Sequence, residues 1–266
     1  MGRRITRHDD RLFRRMRTEG NMEIHTFRTK RETSEAAASE AAQILRDAIA
    51  ARGKARMVVS TGNSQFDFIE ALTAAKDVNW RRVEALHLDE YAGMPMSHPA
   101  SFRLWLKMRV ADRVPLLAMQ YLNGDAPDTA AECRRYAALL EAEPVDVGLI
   151  GIGENGHIAF NDPPVADFQD PVSVKRVLLD EACRLQQVGE GHFPNLDAAP
   201  REALTVTCPA ILRMKRLVCV VPERRKAEAV RCALRGPVTT ACPASVLRNH
   251  PRASLYLDQE SASLLD

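Results

Sequence analysis

Apolar and polar positions along this chain follow two periods. Met22-Glu23-Ile24-His25-Thr26-Phe27 alternates with period two, the pattern of a half-buried strand. From Thr33 the run Ser34 to Leu45 is rich in strong helix formers, and Thr33 or Ser34 supplies an oxygen to cap it. Arg56 to Ser60 is predicted as a buried strand, Thr61 to Ser64 as a tight loop, and Gln65 to Ala74 as a helix with Phe66, Ile69 and Leu72 on one face. The pattern then repeats, with strands over 83–88, 119–122 and 145–152 and helices over 101–110 and 127–141. Farther on, 204–207, 216–221 and 253–257 are predicted strands, with helices over 223–235 and near 243–248. Strands separated by helices pair in parallel through right-handed crossovers. Residues 22–266 show no linker, repeat or low-complexity stretch. The expectation is a single α/β domain, doubly wound, with a mostly parallel central sheet flanked by helices (Rossmann-like).

Composition narrows the class. A chain of 266 residues can bury most of its surface without disulfides. Hydrophobic residues at 45% and charged residues at 27% are ordinary globular values, and no apolar run approaches the roughly 20 residues that span a bilayer. A soluble protein with no membrane partner is expected. The six cysteines are scattered, without a C-x-x-C pair or zinc-finger spacing, which points to a reducing, cytoplasmic location. Cys208 and Cys242 each precede Pro-Ala, where a helix start can acidify a thiol; the competing reading is a small buried hydrophobe.

Charge is uneven at one place. Residues 1–21 hold seven arginines against Asp9, Asp10 and Glu19, whereas the whole chain carries a formal +2, so the remainder is slightly acidic. By charge the body does not bind nucleic acid. The first 21 residues are expected to be a disordered basic extension; an arginine-rich transit peptide is the weaker alternative, given little serine and three acidic residues.

In an open parallel sheet, ligands bind outside the carboxyl ends of the strands. Three polar clusters fall there. Ser60-Thr61-Gly62-Asn63-Ser64 offers hydroxyls, a flexible glycine and free N–H groups at a helix start, a combination suited to phosphate and equally to a plain capped turn. It lacks the spacing of a Walker loop or a dinucleotide fingerprint. Asp89-Glu90 places two carboxylates at the end of an apolar strand, where burial can raise one toward a general base, or where they can merely cap a helix. In the third, Gly153 and Gly156 free the backbone while His157 and Asp162 supply a titratable ring and a nearby acid.

These segments are recognisable together. L-D-E-Y-A-G-M-P from Leu88, with H-P-x-S-F after it, and G-I-G-E-N-G-H-I-A-F-N-D-P from Gly151 resemble the signature segments of the glucosamine-6-phosphate deaminase family, and Thr61-Gly62-Asn63-Ser64 falls at that family's phosphate loop. The similarity of order and spacing runs from about Met22 to the C-terminus. The related 6-phosphogluconolactonases usually read G-H-T-A-S-L-F at the histidine, which favours the deaminase branch. The resemblance implies a sugar-phosphate substrate, no metal and no redox cofactor. It implies Asp89 as the base moving a proton between C2 and C1 of the opened sugar, and His157 as the residue assisting ring opening.

Two positions depart from the family pattern. Asn155 stands where Asp is common, and Asp162 where Glu is common. Asn155 can orient a ring but cannot stabilise imidazolium by charge, and Asp162 is one methylene shorter. Phosphate charge is expected from Lys226, with Lys175 or Arg176 as further candidates, while Arg224 and Arg225 are read as solvated helix-start residues. Residues 186–193 are a candidate lid or an ordinary surface loop. Two rival functions remain: a sugar-lactone hydrolase using His157 alone, and a non-catalytic sugar-phosphate sensor. Asp89 and His157 argue against the second. A homo-oligomer is left open.

Overall fold

Thr29 starts the first helix. Its hydroxyl accepts from the backbone of Glu32, and the Glu32 side chain returns to the Thr29 N–H, a reciprocal capping box. The computed structural model describes residues 15–265. The expected caps Thr33 and Ser34 lie inside this helix instead; Thr33 Oγ1 bonds the Thr29 and Leu257 carbonyls at 2.9 and 3.0 Å.

In chain order the elements are β1 (Arg15–Glu19), β2 (Met22–Phe27), α1 (Lys30–Arg52), β3 (Ala55–Val59), α2 (Phe66–Thr73), β4 (Val83–His87) and β5 (Asp89–Tyr91). There follow α3 (Phe102–Leu106), β6 (Ala118–Met119), α4 (Thr129–Glu141), β7 (Val147–Ile150), β8 (Val174–Leu178) and α5 (Glu181–Gly189). The last are β9 (Glu202–Val206), α6 (Cys208–Leu212), β10 (Leu217–Val221), α7 (Ala227–Arg235) and β11 (Ala253–Asp258). The central sheet has the order β1-β2-β11-β10-β7-β3-β4-β6, parallel throughout except where β1 pairs antiparallel with β2.

That hairpin corrects the expected extension. Residues 15–19 are a strand, joined to β2 through Gly20 at φ 60, and a period-two hydrophobic pattern is missing there because β1 is the sheet edge. Residues 1–14 lie outside the described residues.

The core follows the pleat. Val218 and Val220 pack on one face with α1 and α2, beside Leu45, Phe68, Met57 and Leu149. Leu217, Cys219 and Val221 pack on the other, with Leu255, Leu257, Ile150 and Val230. Both faces are covered, as a parallel sheet requires, and each such side chain contributes about 1.5–3 kcal/mol on burial.

From β3 the chain builds outward through β4 and β6, then returns to place β7 on the other side of β3 and continues to β10 and β11. The order therefore reverses between β3 and β7, and the crevice beyond their carboxyl ends is the expected ligand site. A second, antiparallel sheet, β5-β9-β8, stands above that crevice. Its aromatic core of Tyr91, Phe102, Phe160 and Phe193 was not foreseen as a unit.

Candidate active site

A cleft of about 600 Å³ opens at the reversal between β3 and β7. Ser60, Thr61, Gly62, Asn63 and Ser64 line one side, directly after β3. Gly62 holds φ 109, which a side chain resists, and Asn63–Gln65 forms a 3-10 turn that runs into α2. Backbone N–H groups are thus left at a helix start, and the buried Ser60 Oγ has no protein partner. Gln65 anchors the turn by donating to the Val220 carbonyl at 3.0 Å. Lys226 faces the same cleft from the turn before α7. It is 3% exposed, and burial followed by the Arg225 charge lowers its pKa. Its ammonium forms no ion pair among the described residues, so it is the cation available to an anion bound at the loop.

Asp89 is the first residue of β5, where the chain leaves the large sheet for the small one. It lines the cleft and is 7% exposed; burial first, then the charges of Glu90 and Asp162, raise its pKa well above the ordinary carboxylate value. Its neighbour does different work. Glu90 accepts from Ser101 Oγ at 2.7 Å and from the backbone of Tyr91, Phe102 and Arg103 at 3.0, 3.2 and 2.9 Å, so it caps α3. Of the two readings of the acidic pair, the cap belongs to Glu90, and Asp89 is the member that lines the cleft.

The third cluster follows β7. Gly153 lies so close under the His157 ring that a Cβ there would meet ring atoms at 2.1 Å. His157 Nδ1 is 2.9 Å from Asp162 Oδ1, with the N–H bent off the line of a straight hydrogen bond. Asn155 does not touch the ring. Its amide donates to Asp162 Oδ1 at 3.1 Å, while its Oδ1 accepts from the His157 backbone at 3.0 Å. Burial works to raise Asp162, but His157, Asn155 and the Asp180 N–H outweigh it and hold the carboxylate low. Asp162 therefore supplies the charge that Asn155 cannot. Ala159, at φ 50, marks strain in the same loop. The loop is pinned to β9: Thr205 Oγ1 accepts from Phe160 N at 3.0 Å, and Asn161 Nδ2 donates to the Val206 carbonyl at 2.9 Å. Because Thr205 also pairs with Asp89, β9 fixes Asp89 and His157 relative to each other.

Two expected residues are elsewhere. Lys175 pairs with Asp170 at 2.6 Å, and Arg176 pairs with Glu202, both on β8 and away from the cleft. Strand alternation and local carboxylates account for both. Residues 186–189 are the end of α5 rather than a loop. Gln186, Gln187 and Glu190 nevertheless line the cleft, a contribution that α5's amphipathic spacing could have signalled. Arg225 is exposed, as expected, but it is not free: it contacts Glu154, Glu190 and Glu223 at 2.9, 2.7 and 2.7 Å. Cys208 and Cys242 are buried and their thiols are pushed up to about 12 by that burial, the opposite of acidification. Among the described residues, His157, Asp162 and Cys183 place ligand atoms within 4.8 Å of one another, the set able to hold a metal. No helix among the described residues is long and apolar enough to cross a membrane.

Residues 28–177 match the family model described as glucosamine-6-phosphate isomerases/6-phosphogluconolactonase. The chain belongs to this family. Curated relatives include glucosamine-6-phosphate deaminases of Bacillus cytotoxicus, 33% identical over 88% of this chain and 87% of theirs, and of Bacillus thuringiensis, 32% identical over 91% and 89%. Among solved structures, a monomeric glucosamine-6-phosphate deaminase is 31% identical with TM-score 0.82, covering 91% of this chain and 99% of that one. A 6-phosphogluconolactonase from Shewanella baltica, 20% identical with TM-score 0.71 over 88% and 96%, shares the fold. As a member of the glucosamine-6-phosphate isomerase/6-phosphogluconolactonase family, the chain is an enzyme.

Proposed function

We propose that this enzyme converts glucosamine 6-phosphate to fructose 6-phosphate and ammonia. The observation that carries the reading is the presence in one cleft of Asp89, His157 and Lys226, each from a different segment. The phosphate binds the 60–64 loop and Lys226. His157, with Nδ1 turned to Asp162, keeps Nε2 for the sugar ring oxygen and helps open the ring. Asp89 then removes the C2 proton, giving an enolamine, and returns it to C1, giving an imine at C2. Water adds to C2 and ammonia leaves, so one water is consumed for each ammonia released. A buried carboxylate with a raised pKa suits a base that must both take and return a proton.

The His157–Asp162 pair would by itself also serve a lactone hydrolase. Ammonia and fructose 6-phosphate formed in equal amounts from glucosamine 6-phosphate support the deaminase reading; turnover of 6-phosphogluconolactone alone would replace it. Six unpaired cysteines fit a reducing, cytoplasmic setting.

A further inference from the structure

His87 ends β4, two residues before Asp89, and is fully buried. It does not itself line the cleft, and both of its ring nitrogens are engaged with backbone. Nε2 is 2.8 Å from Leu122 N, and Nδ1 is 2.9 Å from the Asp89 carbonyl. The chemistry of those partners fixes the tautomer. An amide N–H can only donate, so Nε2 holds the lone pair; the proton is on Nδ1 and is donated to the Asp89 carbonyl. Burial holds the ring pKa down to about 3, so the imidazole stays neutral through the working range. Tyr136 clamps the same residue, its hydroxyl accepting from His87 N at 2.7 Å and donating to His87 O at 2.9 Å.

The location explains why such a clamp is needed. The β4–β6 ladder ends at Met119, and one more bond, Gln120 N to Ala85 O, closes it. Immediately afterwards the chain leaves the large sheet and Asp89 begins β5 in the small one. At this crossing the Asp89 carbonyl and the Leu122 N–H have no strand partner between them, and the His87 ring spans the gap as a rigid two-ended peptide surrogate.

We propose that His87 is the positioning residue for Asp89, its Nδ1–H holding the Asp89 main chain so that the carboxylate meets the reacting carbons. This rests on the reading of Asp89 as the base. The role is separable from general support of the fold because the ring has two ends, and only one reaches Asp89.

The test uses His87→Asn, which keeps an amide at the Nδ1 position, and His87→Gln, which keeps one at the Nε2 position. With wild-type turnover of glucosamine 6-phosphate as reference, His87→Asn is expected to hold kcat within about threefold. His87→Gln is expected to lose kcat by at least about tenfold, with KM within about twofold, as for loss of an interaction felt at the transition state. Equal kcat in the two variants, or a greater loss in His87→Asn, would overturn the proposal. A wild type that releases no ammonia would instead overturn the deaminase reading. A measurement on the unmutated protein guards against variants that fail to fold: long-range 15N–1H correlation of the histidine rings should show His87 as the neutral Nδ1–H tautomer from pH 5 to 9. An Nε2–H tautomer, or titration within that range, would refute the assignment.

Discussion

Asp89 and Glu90 are neighbours in sequence with opposite fates. Three hydrogen bonds from the start of α3 and one from Tyr91 N commit Glu90 to the fold, whereas Asp89 faces the cleft with its charge poorly solvated. Because the base works ionised, activity falls as pH drops through its raised pKa. The acid limb of kcat/KM is therefore predicted to lie above the ordinary carboxylate range, near 4; a limb at that ordinary value would mean a solvated carboxylate. Stability carries the opposite sign. The folded state holds the Asp89 proton more tightly than the unfolded chain, so the contribution of the neutral carboxyl is full below the ordinary value and is lost as pH rises through the raised one. Asp89→Asn removes this cost, and thermal unfolding near pH 7 should show a higher Tm, by about 2–4 °C for each kcal/mol recovered. An unchanged or lower Tm would contradict burial of the charge. Both residues of the pair were visible in the sequence. Alternation sends them to opposite sides and the resemblance singled out Asp89; that Glu90 caps α3 was not legible, because it depends on a strand switch between sheets that the apolar pattern places one residue late.

At the scale of elements, α5 roofs the cleft through polar ties. Gln186 Oε1 accepts from Glu154 N at 3.1 Å, Gln186 Nε2 donates to Glu190 at 2.9 Å, and Arg225 joins Glu190 to Glu154 and Glu223. Burial alone would raise Glu190, yet its hydrogen bonds to His192, Arg225 and Gln186 hold it down to about 2. The roof is thus tied at once to the histidine loop and to the turn that carries Lys226. Arg225→Ala should raise KM for the sugar phosphate about five- to tenfold with a smaller change in kcat, and steady-state kinetics should show the wild-type KM rising with salt as the ties are screened. A salt-independent KM, unchanged in the variant, would show that the ties do not serve binding. The main α/β alternation was legible because its strands are short, largely buried runs rich in Val, Leu and Ile between helix-forming segments. The small sheet was not: β8, Val174–Leu178, buries only Val174 and Val177, and its lysine and arginine read as phosphate ligands until their partners Asp170 and Glu202 are seen.

At the scale of the molecule, chemistry is concentrated where strand order reverses. The 60–64 loop follows β3 and the histidine loop follows β7, the two strands flanking the reversal, while β5 and β9 bring Asp89 across from the second sheet. The cleft is therefore assembled by topology from segments far apart in the chain, and sequence order alone located its parts without their spacing. The most direct test of this account is kcat for ammonia release from glucosamine 6-phosphate, compared between wild type and folded Asp89→Asn that retains sugar-phosphate binding. The account predicts a fall of about 10²–10⁴, the range for loss of a general base. Ammonia release by Asp89→Asn at the wild-type rate would contradict it.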